Sequence, residues 1–381
     1  MTLTPYHIQV FERIDDVPSD AWDRMTSPNF PFSDHAYLHA LEVCGAVGGG
    51  SGWRPCYLTV WRDRQLEGAT VLYTKDNSYG EYIFDWAWAE AYHQHGVQYF
   101  PKLTSAVPFT PATGPKLLFS AQADRKEVGS RLICSAREMM ERHGHSSLHY
   151  LFLTPEELPF FEAEGFLIRH SFQYHWKNRD YADFDHFIAT MKPRKRKQII
   201  REREQLQAEN LKIKILTGAE LQPEHAALFY QFYCSTIEKM GAIAYLNEEF
   251  FKTVFATMHD EVVLILACDQ TTAIAGALFY KKGTSLYGRY WGAIKEVRNL
   301  HFELCYYQPL QWAIERKMRL FEAGAQGEHK ISRGFLPELT FSAHWIGHPA
   351  FREAIGRFIA QERVDISRLL GELKSHDPFQ P

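Results

Sequence analysis

The strongest constraint on how this chain can fold is that one part of it occurs twice. Tyr57-Leu-Thr-Val-Trp-Arg-Asp-Arg-Gln-Leu-Glu-Gly68-Ala leads on to Tyr79-Gly80-Glu81-Tyr82. Val262-Val-Leu-Ile-Leu-Ala-Cys-Asp-Gln leads through Gly276-Ala-Leu-Phe-Tyr to Tyr287-Gly288-Arg289-Tyr290. Gly68 and Gly276 stand 208 positions apart, as do Tyr79 and Tyr287. Each copy reads as an apolar strand, a polar turn, a second strand carrying Gly-Ala, another turn and an aromatic third strand. Such a meander, with helical patterns on either side, predicts two related β-rich domains, and 381 residues leave room for two. The boundary is expected after the aromatic run Phe172-Gln-Tyr-His-Trp176, giving domains 1–177 and 178–381. The polar stretch from Asn178 to Asp185 is suited to cap the helix that follows.

Charge excludes some partners. The formal net charge is -4 and the pI about 6.5, so no global field draws the chain to nucleic acid or an anionic membrane, and any polyanion site must be local. The first ten residues have neither a basic nor an apolar signal region, and no run of 18 apolar residues occurs, which argues against a secretory signal and a transmembrane helix. The six cysteines are scattered without a Cys-x-x-Cys pair, as in a reduced, cytoplasmic protein. His35 and His39, and the group His143, His145 and His149, lack acidic or Cys ligands at a recognised zinc spacing, so no metal is expected. Walker, dinucleotide and serine-elbow motifs are absent.

Two segments carry candidate chemistry. Residues 192–203 hold seven basic residues and one acid, with Pro193 placed for a first helical turn and Ile199 and Leu206 at a seven-residue apolar spacing. Positive charge at a helix start costs about 0.3–1 kcal/mol per exposed residue, which a phosphate ligand would offset. Lys192, Arg194, Lys195, Arg196, Lys197 and Arg201 are the candidate phosphate-binding residues, although a solvated surface helix balanced by Glu202 and Glu204 explains the run equally well. The second segment follows Tyr287-Gly-Arg-Tyr-Trp291. A helix is expected over about 301–317, then a short strand, then the polar loop from Gly324 through Arg333. Glu303 or His301, in the first turn of that helix, is suited to take a proton from an attacking amine. Lys330 is suited to hold a phosphate or a developing oxyanion, and Arg333 to clamp an anion. Arg289, mid-strand, should be paired, with Glu322 the candidate partner. Tyr287, Trp291, Gln326, Glu328 and His329 complete the candidate substrate-binding set. Cys305 reads as core.

The runs Tyr-Gly-Arg-Tyr-Trp-Gly, His-Phe-Glu-Leu-Cys-Tyr-Tyr-Gln and Phe-Glu-Ala-Gly-Ala-Gln-Gly-Glu-His-Lys, with Arg333-Gly-Phe, resemble the FemAB-like N-acyltransferase family. Residues 79–89, 100–103, 107–115 and the basic helix extend the resemblance over nearly the whole chain. The resemblance implies an α/β (α+β) fold of two tandem GNAT-like domains, each a mixed, mostly antiparallel sheet flanked by helices. It implies transfer of an acyl or aminoacyl group, from acyl-CoA or aminoacyl-tRNA, to an amine such as that of a peptidoglycan precursor. Gly324, Gln326, Gly327 and Lys330 fall approximately on the Gly-x-Gly-x-x-Lys ending of related acyltransferases. The chain departs from acetyl-CoA-using GNAT enzymes in lacking a Gln/Arg-x-x-Gly-x-Gly/Ala loop, which leaves the donor open. The contrasting expectation is a non-catalytic GNAT-like module that binds a cell-wall precursor or tRNA.

Overall fold

The structure, a computed structural model, describes residues 5–324 and 327–380. Its strands are β1 (His7–Phe11), β2 (Trp53–Arg62), β3 (Gln65–Lys75), β4 (Lys102–Ser105), β5 (Leu118–Phe119) and β6 (Ser147–Leu153). They continue with β7 (Leu167–Lys177), β8 (Lys212–Thr217), β9 (Val262–Asp269), β10 (Thr272–Lys282), β11 (Ser285–Ala293), β12 (Leu320–Glu322) and β13 (Leu336–Ile346). The chain divides into two compact units, Met1–Phe172 with Leu339–Arg368, and Gln173–Glu338 with Leu369–Pro381. The expected division at 177/178 is corrected on two counts. The break falls inside β7, and residues 339–368 belong with the first unit. The reason is a pairing that chain order does not reveal: Phe341–Ile346 of β13 run antiparallel to β6, and Ala343 is buried in the first unit's core.

In the first unit the strand order is β1-β2-β3-β4-β6-β13, antiparallel throughout except where β4 and β6 run parallel, with Leu103 opposite Leu148. Two helices matter here, α1 (Trp86–Gln94) and α2 (Arg125–Arg142). Asp124 caps α2 by accepting from the backbone N–H groups of Lys126 and Glu127. The inward stripe of α2, Val128, Leu132, Ile133, Ala136 and Met140, shares a core with Leu58, Val60 and Leu72 of the sheet. Each of these side chains except Ala136 contributes about 1.5–3 kcal/mol by leaving water.

The second unit repeats the plan as β8-β9-β10-β11-β12-β7, with β11 and β12 as its parallel pair. Its helices include α3 (Pro193–Gln207), α4 (Pro223–Met240) and α5 (Gln308–Glu315). Val262 through Cys268 of β9 are all buried, as in a sheet covered on both faces. Gly292 is required where α4 crosses β11, because a Cβ there would lie 1.7 Å from the carbonyl oxygen of Phe232. Asp183 caps the short helix Phe184–Ala189, as the polar stretch suggested.

The repeated sequence folds alike over its two-strand core, β2–β3 in one unit and β9–β10 in the other. The third strand expected in both copies forms only in the second, as β11. Tyr79–Tyr82 in the first copy is not a strand, since Gly80 and Tyr82 adopt φ 79° and 60° and turn the chain away from the sheet. The position beside β3 is taken by β4, which follows α1. Both units are thus mixed, mostly antiparallel sheets with helices on their faces.

Candidate functional site

The site lies in the second unit, where β11 and β12 part. Their pairing runs from Ser285/Leu320 to Tyr287/Glu322, after which β11 continues to Ala293. The chain then enters a helical segment at Leu300 whose residues Glu303–Tyr307 form a π turn before α5. Pro309 accounts for that turn: it has no N–H to give the carbonyl of Cys305, and its ring crowds that carbonyl, so the bonding widens just before it. The π turn carries Glu303, Tyr306 and Tyr307.

Glu303 is buried, and its two oxygens differ. Oε1 accepts from Arg203 Nη2 at 3.0 Å, Arg203 Nε at 3.2 Å and Gln308 Nε2 at 2.7 Å. Oε2 is buried with no hydrogen-bond partner among the described residues. A carboxylate held by one oxygen and bare at the other is oriented to accept a proton. One residue earlier on α3, Glu202 accepts from Arg333 Nη2 at 2.8 Å and from the Tyr307 hydroxyl. The Arg333 guanidinium lies 3.5 Å from the centroid of the Phe302 ring, and its Nη1 donates to the carbonyl of His329 at 2.9 Å. These contacts fix Arg333 from three sides.

Burial, reinforced by His329, Arg333 and Lys330, brings His301 down to about 4, so its ring is neutral near pH 7. That ring stands edge-on to Trp291 (5.1 Å) and Tyr306 (5.6 Å), and His329 Nε2 lies 3.0 Å from the Tyr306 hydroxyl. Lys330 is buried on the 3-10 segment Glu328–Arg333, where its Nζ donates to the carbonyl of Gly324 at 2.8 Å. Burial and the neighbouring Arg289 bring it down to about 8. Gly327, at φ 106°, begins this segment, and a Cβ there would lie 2.5 Å from the His329 ring. Arg289 Nη2 pairs with Glu322 Oε2 at 3.4 Å, the partner the sequence suggested, and both side chains are buried. His175 of β7, held at about 3 by burial, stands 3.8 Å from the same Glu322.

The structure therefore gathers Glu303, His301, Trp291, His329, Lys330 and Arg333 around the opening of β11 from β12, with Arg289 and the buried Tyr287 on β11 itself. Glu328 is exposed on the same 3-10 segment, and Gln326 lies outside the described residues. The basic helix is real, with Pro193 in its first turn, but its cations divide. Lys192 donates to the carbonyl of Asp377, and Lys195 and Arg196 are half-buried. Arg194, Lys197 and Arg201 form an exposed stripe with no ion pair among the described residues. What α3 brings into the site is Glu202 and Arg203, neither singled out from the sequence. The signal was present, since Glu202 falls between Ile199 and Leu206 on the apolar face. Tyr306, Tyr307 and Gln308 had no such signal, because the π turn sets their direction.

The model of a FemAB-like family, described as peptidoglycan biosynthesis/recognition, matches residues 13–381. No curated protein matches the chain. Among solved structures, FemX is 12% identical, covering 92% of this chain and 100% of its own, with TM-score 0.53. The C-terminal domain of a protein assigned as a lysylphosphatidylglycerol synthetase from Agrobacterium fabrum is 9% identical, covering 91% and 95%, with TM-score 0.56. A tandem GNAT protein from the clavulanic acid pathway is 13% identical, covering 91% and 99%, with TM-score 0.47. At these identities the similarity is one of fold.

Proposed function

Because the chain belongs to the FemAB-like family of peptidoglycan biosynthesis/recognition, we propose that it is an N-acyltransferase whose chemistry resides in the second unit. The donor is an acyl-CoA or an aminoacyl-tRNA, and the acceptor is an amine, with a peptidoglycan precursor as the favoured class. The observation that carries this reading is the divided carboxylate of Glu303, anchored at Oε1 and bare at Oε2. In the reaction the amine nitrogen attacks the acyl carbon while Glu303 Oε2 accepts the N–H proton. Lys330, when protonated, stabilises the carbonyl oxygen as it becomes an oxyanion. The C–S or C–O bond to the donor then breaks, and the leaving thiolate or alkoxide is protonated. Neutral His301 is suited to relay that proton, and Arg333 holds an anionic group of donor or acceptor. Arg194, Lys197 and Arg201 supply phosphate contacts for a polyanionic donor. Among the described residues no helix is long and apolar enough to cross a membrane. A cytoplasmic location is the one in which both donor classes are made.

The test is equilibrium binding of acetyl-CoA and of aminoacyl-tRNA, followed by single-turnover transfer to amine acceptors, with wild type, Glu303→Gln and Lys330→Ala. Transfer abolished in both variants with donor binding kept in Glu303→Gln supports the assignment. Ligand binding without transfer from either donor favours a recognition module instead.

A further inference from the structure

After the helix Pro349–Ser375 the chain reads His-Asp-Pro-Phe-Gln, with one aromatic ring among polar residues and a proline. A stretch of that composition is expected to stay in water, yet Phe379 is buried. A short strap along the start of α3 holds it there. The Lys192 N–H donates to the carbonyl of Pro378 and the Gln380 N–H to that of Thr190, both at 2.8 Å, and Met191 faces Phe379 as an antiparallel bridge. Side chains tighten the strap: Lys192 Nζ donates to the Asp377 carbonyl at 2.7 Å and Gln380 Nε2 to that of Met191 at 2.9 Å. The Arg179 guanidinium lies 4.6 Å from the Phe379 ring centroid.

The neighbours of that ring lead to the site. Phe379 packs edge-on to Phe187 at 6.1 Å. Phe187 and Met191 are fully buried, and both press on Gly334, where a Cβ would lie 2.8 Å from Phe187 Cζ and 3.1 Å from Met191 Cε. Gly334 closes the 3-10 segment Glu328–Arg333: its N–H donates to the Ile331 carbonyl at 2.9 Å, and that of Phe335 to the Lys330 carbonyl at 3.2 Å. The segment lies between two glycines with positive φ, Gly327 at 106° and Gly334 at 90°. Backbone that permissive does not fix its own direction, so packing must. At Gly334 that packing comes from Phe187 and Met191. The strap reaches the other half of the site as well, because Lys192 precedes Pro193 and α3 then carries Glu202 to Arg333 and Arg203 to Glu303.

We propose that Phe379 is a positioning residue for the site of the second unit: with Phe187 and Met191 it clamps Gly334, and so sets where Lys330 and Arg333 stand. Its effect on turnover rests on the transferase reading; its effect on the order of the segment Glu328–Arg333 does not. A displacement of about 1 Å at a reacting group can cost about 10²-fold in rate. Loosening the clamp also admits water around Lys330, whose burial is the main reason it sits at about 8. Phe379 touches no reacting atom and acts only through the residues it holds.

The experiment measures amide hydrogen exchange and the pH dependence of single-turnover transfer on the full chain, with wild type, Phe379→Ala and Phe379→Leu. In Phe379→Ala, peptides covering 327–335 should exchange about tenfold faster while those of β2 and α2 in the first unit stay as in wild type. Transfer should slow about tenfold, and its alkaline fall should move above pH 8 as Lys330 gains water. A merely structural role lowers the folded fraction equally at each pH and leaves that fall in place. Phe379→Leu, which refills most of the space, should stay within about twofold of wild type in both measurements. If Phe379→Ala does not fold, Gln380→Ala removes one bond of the strap and should show a smaller change in the same sense. Unaltered exchange at 327–335 overturns the proposal, as does faster exchange with the rate and its pH profile unchanged. Absence of transfer in wild type overturns the transferase reading instead, and exchange at 327–335 then decides the clamp by itself.

Discussion

The two units share strand order and pairing yet use the same repeated tetrad in opposite ways. In the first, the tetrad's variable residue is Glu81, which bonds Lys102; in the second it is Arg289, which bonds Glu322. The first unit's cluster is closed: Lys102, Glu81, Asp85, Tyr99, His149 and His344 are all buried and linked in one chain of hydrogen bonds. Burial alone would raise the Asp85 carboxyl, but the Lys102 ammonium outweighs it and holds Asp85 at about 2. The second unit's cluster opens to solvent through exposed His329 and half-buried Arg203, His301 and Trp291. The lesson is that one sheet plan can spend its buried charges on a sealed brace or on a reachable site. Which of the two results depends on whether the segment after the second core strand continues as a strand or turns away.

The comparison breaks most visibly if the two carboxylates are exchanged for amides. Glu303→Gln should lower turnover by about 10²–10⁴-fold, the usual worth of a positioned general base, with its melting temperature little changed. Glu81→Gln should leave turnover near wild type. Equal losses from both variants in a kcat measurement would show that the units do not divide brace from chemistry. A second and comparable effect is expected on stability: Lys102→Met strands two buried carboxylates and should cost about 3–5 kcal/mol in denaturant unfolding. By contrast, Arg203→Met removes the partly exposed partner of Glu303 and should cost less stability while slowing turnover.

The pH axis sharpens the contrast through two lysines. On the proposed mechanism, in which protonated Lys330 stabilises the oxyanion, the rate of transfer should fall as pH rises through about 8. Lys75 of the first unit, beneath the Trp53 ring, is brought down to about 7 by burial against the opposing pull of Glu81. Its unfolded form keeps a proton to about 10.4. Between those values the unfolded chain binds more protons, so stability contributed by this site rises with pH, opposite in sign to the activity. Lys75→Met should remove that part of the slope in unfolding free energy while leaving the alkaline fall in rate. The smallest effect is expected from replacing Arg194, Lys197 and Arg201 together by Gln: stability within about 0.5 kcal/mol of wild type. If the donor is aminoacyl-tRNA, the dependence of binding on salt should become shallower by about two to three in log–log slope.

Legibility followed the range of the interactions. The strands of the repeat, the amphipathic helix start at Pro193, the Arg289–Glu322 pair and the cluster from His301 to Arg333 could all be read from periodicity, turn residues and local density of polar groups. Arg203 could not, because its partner Glu303 is 100 positions away. Nor could the π turn, whose cause, Pro309, is plain only once the helix around it is seen. The tetrad Tyr79–Tyr82 was legible as a strand and was not one, since Gly80 and Tyr82 at positive φ turn the chain away from the sheet.

By itself the sequence determined two copies of one β-rich plan, the family and the neighbourhood of the site, because apolar period and local composition act over a few residues. Only the tertiary structure decided that β13 closes the first unit's sheet, that Glu202 and Arg203 reach across to Arg333 and Glu303, and that Glu81 of one tetrad is sealed against Lys102 while Arg289 of the other pairs with Glu322 beside a solvent-open cluster. Those outcomes depend on which groups meet across long stretches of chain. Desolvation then fixes their charge states, and neither factor is written in any short window of residues.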